Sequence, residues 1–103
     1  MDRNLNLIGI ARKAGLLAVG GDAVATASRT GKAKLVLSAS DSSLKAQKRA
    51  RYAAETCGAT HITIPYTMFE LGQIAGRGSP GTAAILDAGL AAGFLKGLGR
   101  TAK

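Results

Sequence analysis

Apolar residues recur along this chain with two periods in turn. Leu7, Ile10, Ala11 and Ala14 stand at i, i+3, i+4 and i+7, the spacing of one helix face, with Asn4 as its expected cap and Gly15 as its stop. Residues 16–19 are a short apolar run. Gly20-Gly21-Asp22 then reads as a turn and cap for a second helix that reaches about Thr30 and ends at Gly31. Val24, Ala27 and Ser28 fall on its inward face, while Asp22, Thr26 and Arg29 lie within about 60° of one another on the opposite face.

Residues 33–39 (AKLVLSA) are short, leucine-rich and apolar, the pattern of a buried strand, and Ser40-Asp41-Ser42-Ser43 is the turn after it. A third helix over residues 44–56 puts Ala46, Ala50, Ala53, Ala54 and Cys57 on one face. Lys45, Lys48, Arg49 and Tyr52 share another face roughly 130° away. Residues 60–64 (THITI) alternate as a strand that Pro65 ends, and Thr67 caps a short helix to Ala75. Residues 82–86 (TAAIL) make the last strand. Leu90, Phe94, Leu95 and Leu98 form the apolar side of a C-terminal helix, with residues 99–103 expected to fray. Strands alternating with helices predict an α/β domain with helices on both faces of a small central sheet. No repeat, linker or low-complexity segment interrupts it.

Length and composition narrow this picture. A chain of 103 residues is one domain, and 47% apolar against 19% charged residues builds an ordinary core. The net charge of +8 and the pI of 10.3 point to a polyanionic partner, nucleic acid first. Arg29, Lys32, Lys34, Lys45, Lys48, Arg49 and Arg51 stand against Asp41 alone between residues 29 and 51, so six of the eight net charges fall there. The lone Cys57 excludes an internal disulfide and a cysteine-based zinc site, and fits a reducing compartment. No apolar stretch approaches the roughly 18 to 20 residues of a membrane span, and the N-terminus lacks the features of a secretion signal. A soluble cytoplasmic protein with no membrane partner is expected.

Candidate chemistry is sparse. Gly76-Arg77-Gly78-Ser79-Pro80-Gly81 spells G-x-G-x-x-G, but it follows a helix and leads into a strand, the reverse of a dinucleotide site. It reads as a connecting loop whose glycines and Arg77 still suit contact with a phosphate or base. His61, the only histidine, sits within a strand with no nucleophile and carboxylate at a suitable spacing, and Asp22, Asp41, Glu55, Glu70 and Asp87 are dispersed. Asp22 and Asp41 read as caps or turn residues, Cys57 as packing. No catalytic residue, metal or cofactor is therefore expected. Lys45, Lys48 and Arg49 are either the solvated face of an amphipathic helix or part of a binding surface. Arg29, Lys32 and Lys34, near the helix-to-strand junction, favour binding. With Tyr52, Tyr66, Phe69 and Phe94 as the only aromatic residues, a multi-ring stacking platform for single strands is not expected.

Four ordered segments carry a family resemblance: Leu7-Ile8-Gly9-Ile10-Ala11-Arg12-Lys13-Ala14-Gly15, Gly20-Gly21-Asp22, Thr30-Gly31-Lys32-Ala33-Lys34-Leu35-Val36-Leu37 and Leu71-Gly72-Gln73-Ile74-Ala75-Gly76. Together they resemble the ribosomal-protein family of kink-turn RNA binders, the L-seven-Ae type, and within it the small stand-alone bacterial YlxQ-like branch. The resemblance runs from about Asn4 to Phe94. It implies a single-domain three-layer α/β/α sandwich with a small mixed central sheet. It further implies that the start of the second helix enters the major groove of a bent RNA near tandem G·A pairs, while the loop before the last strand covers an extruded base. The family signature G-x-N-E-x-x-K falls on Gly20, Asp22, Ala23 and Thr26. Only the glycine matches; Asp22 replaces the amide, Ala23 the Glu and Thr26 the Lys.

The expected RNA-binding residues are thus Gly20, Gly21, Asp22, Ala23, Thr26, Arg29, Lys32 and Lys34, with Arg77, Gly78, Ser79, Pro80, Gly81 and Thr82 as the base-covering loop. Arg29, Lys32 and Lys34 would stand in for the missing Lys. The expected function is non-enzymatic binding, as a monomer, of a kink-turn or related bent helix in ribosomal or regulatory RNA, with the ribosome as a further candidate partner. The alternative is a protein-interaction module of the same fold that has lost specific RNA recognition.

Overall fold

The computed structural model describes residues 3–76, 78 and 80–98. In chain order its elements are α1 (Arg3–Lys13), β1 (Leu17–Val19), α2 (Gly21–Arg29), β2 (Leu35–Ser38), α3 (Leu44–Cys57), β3 (Thr60–Thr63), α4 (Met68–Ala75), β4 (Thr82–Ile85) and α5 (Ala88–Gly97). The strands form one mixed sheet in the order β1-β4-β2-β3. β4 runs antiparallel to both its neighbours, with Leu17 opposite Ile85 and Leu35 opposite the same residue, while β2 and β3 are parallel, Leu35 opposite Thr60.

Alternation along the strands sends side chains to two cores. Leu35, Leu37, Ile62, Ala83 and Ile85 meet Ile8 of α1, Leu71 of α4 and Phe94 of α5 on one face. Val36 and Ala84 meet Val24 and Ala27 of α2 and Ala50, Ala53 and Ala54 of α3 on the other. The result is the expected α/β/α sandwich, with α2 and α3 together on one side.

Caps fix most helix starts. The Ser43 hydroxyl accepts from the Ala46 N–H, and Asp87 accepts from the Leu90 N–H. At α4, Thr67 and Glu70 form a reciprocal capping box. Asp41 contributes across the fold, its carboxylate accepting from the Met68 N–H at 2.7 Å.

Two expectations need correction. Residues 16–19 are more than an apolar run, because residues 17–19 pair with β4 as an edge strand; three residues are too few to display an alternation. Asn4 does not cap α1: the helix begins at Arg3, and Asn4 is buried where a Cβ on Gly97 of α5 would collide with its side-chain amide. Residues 99–103, expected to fray, lie outside the described residues.

Candidate nucleic-acid interface

The entry to α2 is built by backbone. Gly20 is the N-cap with φ 93° and provides no side-chain cap. That left-handed conformation is open to glycine and strained for residues with a Cβ. The Gly20 N–H donates to the Thr82 carbonyl at 3.0 Å, which ties the start of α2 to the start of β4. The expected capping role of Asp22 is not seen. Asp22 is the second helical residue, exposed, with its carboxylate directed at Arg49 of α3 across 3.9 Å. A first turn without a side-chain cap leaves amide N–H groups at the positive end of the helix dipole to serve an anion.

α2 and α3 lie side by side and run in the same direction. Gly21 is beside Arg49, the Ser28 hydroxyl donates to the Ala53 carbonyl, and the Cys57 thiol approaches the Ala33 carbonyl. The Arg49 guanidinium lies over Gly21, where a Cβ would meet it at an ordinary contact distance of 3.5 Å. Gly81 presses on the start of α3, where a Cβ would come 3.3 Å from the Ser42 Cβ. Between these elements is a crevice of about 150 Å³ lined by Gly21, Ala46, Arg49, Gly81 and Thr82, among others.

Of the expected site residues, Gly20, Gly21, Asp22, Gly81 and Thr82 therefore converge at one end of the sheet. Ala23 is half-buried beside them. Thr26 and Arg29 follow on the exposed face of α2, with the Arg29 guanidinium 3.4 Å from the Thr26 hydroxyl. Gly78 is exposed and Pro80 half-buried; Arg77 and Ser79 lie outside the described residues. Lys32 and Lys34 are exposed but sit at the other end, since the Lys34 N–H donates to Ile85 at the close of β4 whereas Gly20 binds Thr82 at its opening. Arg49, read from sequence only as part of a basic helix face, belongs to the crevice. Helical period found its face; the parallel placement of α2 and α3, which gives it Gly21 and Asp22 as neighbours, has no local sequence signal.

Elsewhere the described residues offer little reactive chemistry. The Ser38 hydroxyl and His61 Nε2 are 2.8 Å apart, but Ser38 is fully buried, and His61 is half-buried at the sheet edge. Burial, with Arg51 nearby, holds the imidazole below its usual 6.5. The Cys57 thiol faces the Ala33, Ala53 and Ala54 carbonyls. Among the described residues no group of three or more His, Cys, Asp or Glu could hold a metal ion, and no helix is long and apolar enough to cross a membrane.

No protein-family model and no curated protein matches the chain. Solved structures do. A protein of unknown function from Bacillus halodurans superposes with a TM-score of 0.85 at 21% identity, covering 97% of this chain and 100% of that one. A 15.5 kD RNA-binding protein of Giardia lamblia superposes with a TM-score of 0.71, also at 21% identity, over 92% of this chain and 81% of that one. At such identity the likeness is one of fold: this α/β/α sandwich is an architecture that an RNA-binding protein also uses.

Proposed function

We propose that this protein, acting as a single cytoplasmic domain, is a non-enzymatic RNA binder of the kink-turn type that grips a bent helix in ribosomal or regulatory RNA. The observation carrying this reading is the crevice in which the uncapped start of α2, the end of the loop before β4 and Arg49 meet. A bent RNA helix presents phosphates close together at its inner angle. Amide N–H groups and one guanidinium clustered across a short distance suit that shape, and recognition would rest on phosphate and backbone geometry with few base-edge contacts. The amides of Gly21, Asp22 and Ala23 would meet phosphate or sheared purines, the Gly20 N–H being held by Thr82. Arg49 would supply the charge that Thr26 lacks, exchanging its exposed contact with Asp22 for phosphate. Arg29 extends the contact along α2, and Lys32 and Lys34 reach only an RNA that follows the helix to its far end.

The test is a titration of a standard kink-turn RNA and of a version with its G·A pairs disrupted, at several salt concentrations. Preference for the intact kink-turn is expected. Equal, weak binding of both would sink specific recognition and leave the fold as a polyanion or protein-interaction module. Arg49→Ala should weaken kink-turn binding roughly tenfold, the scale of a hydrogen bond to a charged group, and by more than Lys45→Ala does.

A further inference from the structure

Along the outer seam of α2 and α3 lies an open groove of about 570 Å³, bounded by Ala25, Ser28 and Arg29 on one side and by Lys48, Arg49, Tyr52, Ala53 and Thr56 on the other. Its floor is small and apolar, and its rim carries three cations. Among the described residues no carboxylate lines it. Tyr52 stands at that rim with 73% of its surface exposed, although a ring of that size is ordinarily at least half covered. Helical period explains why Tyr52 faces outward, but not why an aromatic ring occupies the position.

We infer that this groove seats a nucleotide of a single-stranded RNA segment that leaves the bent helix, its base stacked on Tyr52 and its phosphate held by Arg29 and Lys48. This rests on the proposed RNA-binding function and extends its footprint. Arg49, Ala25 and Ala53 border both the crevice and the groove, so a strand passing from one to the other stays on one continuous surface. An aromatic face flanked by cations is the combination that holds unpaired nucleotides without regard to sequence, since every base has a π-face and every linkage a charge. One ring does not make a platform for a long strand. It makes a place for one base, which a strand anchored next door can fill at little further entropic cost.

The experiment compares the kink-turn RNA with and without a single-stranded tail of about four nucleotides on either strand end. For the wild-type protein a tail from the correct strand should tighten binding about tenfold, the effect of one stacked base. Tyr52→Ala and Lys48→Ala should each remove most of that gain and leave affinity for the tailless RNA unchanged, while Tyr52→Phe should keep it. The tail should also quench tyrosine fluorescence, a signal absent in Tyr52→Phe, whose remaining Tyr66 is buried. If Tyr52→Ala gains from the tail as much as wild type, the groove is not a nucleotide site. A polyglutamate peptide that binds in a Tyr52-dependent way, with no effect from either tail, would likewise overturn the proposal in favour of an acidic protein partner. Loss of kink-turn preference with Tyr52-dependent binding of the isolated oligonucleotide retained would instead sink the function proposed above and leave the groove assignment standing.

Discussion

At the scale of single residues, side chains and glycines act here through their neighbours. Gly20 is needed because its φ is positive while its N–H must reach Thr82. At Gly81 the loop end abuts Ser42 tightly, and a Cβ would come 3.3 Å from the Ser42 Cβ. His61 shows how environment overrides the ordinary behaviour of a group. Burial first, and Arg51 second, disfavour its protonated form in the folded state. The unfolded chain therefore takes up that proton at a higher pH than the folded one, and stability contributed by the neutral imidazole is lost as pH falls below 6.5. An NMR titration of the imidazole should give a midpoint below 6.5, and His61→Gln should flatten the stability profile just under that pH.

At the scale of elements, capping and pairing decide where helices begin and which strands exist. α4 has eight residues, too few to be stable alone, and relies on its Thr67–Glu70 box and on Asp41 from the turn between β2 and α3. Thr67→Ala should cost about 1 kcal/mol, read as a lowered urea midpoint with an unchanged slope. α2 has the opposite design, a start with no side-chain cap, and that end is the one the proposed RNA contact uses. Its two ends can be separated experimentally. Replacing Lys32 and Lys34 together by Ala should leave a minimal kink-turn bound as before and weaken only RNAs long enough to run the length of α2, about 13 Å. A gel-shift series of RNA lengths would reveal the difference.

For the whole molecule, a net charge of +8 supplies long-range attraction to a polyanion, and the fold determines where contact is made. The logarithm of RNA affinity should fall linearly with the logarithm of salt concentration, with a slope of about −0.7 to −0.9 for each phosphate neutralised. On the proposed reading Arg49→Ala reduces that slope by about one, whereas Arg51→Ala, on the His61 side of α3, leaves it nearly intact.

Local pattern alone was enough for five helices, three of the four strands and the two-faced packing, because the 3.6 and 2.0 residue periods are written in positions such as Ala50, Ala53 and Ala54 or Ile62 and Ile64. It also marked the turn at Gly20 and the basic face of α3. Strand β1 needed β4 beside it before three residues became a strand, and Asn4 needed α5 to become a buried contact. Tertiary placement alone brought Arg49 onto Gly21 and left Lys32 and Lys34 at the far end of α2. Periodicity gives each residue its face on its own element; which elements lie side by side, and in which direction, depends on how the sheet orders its strands and how the helices pack over them.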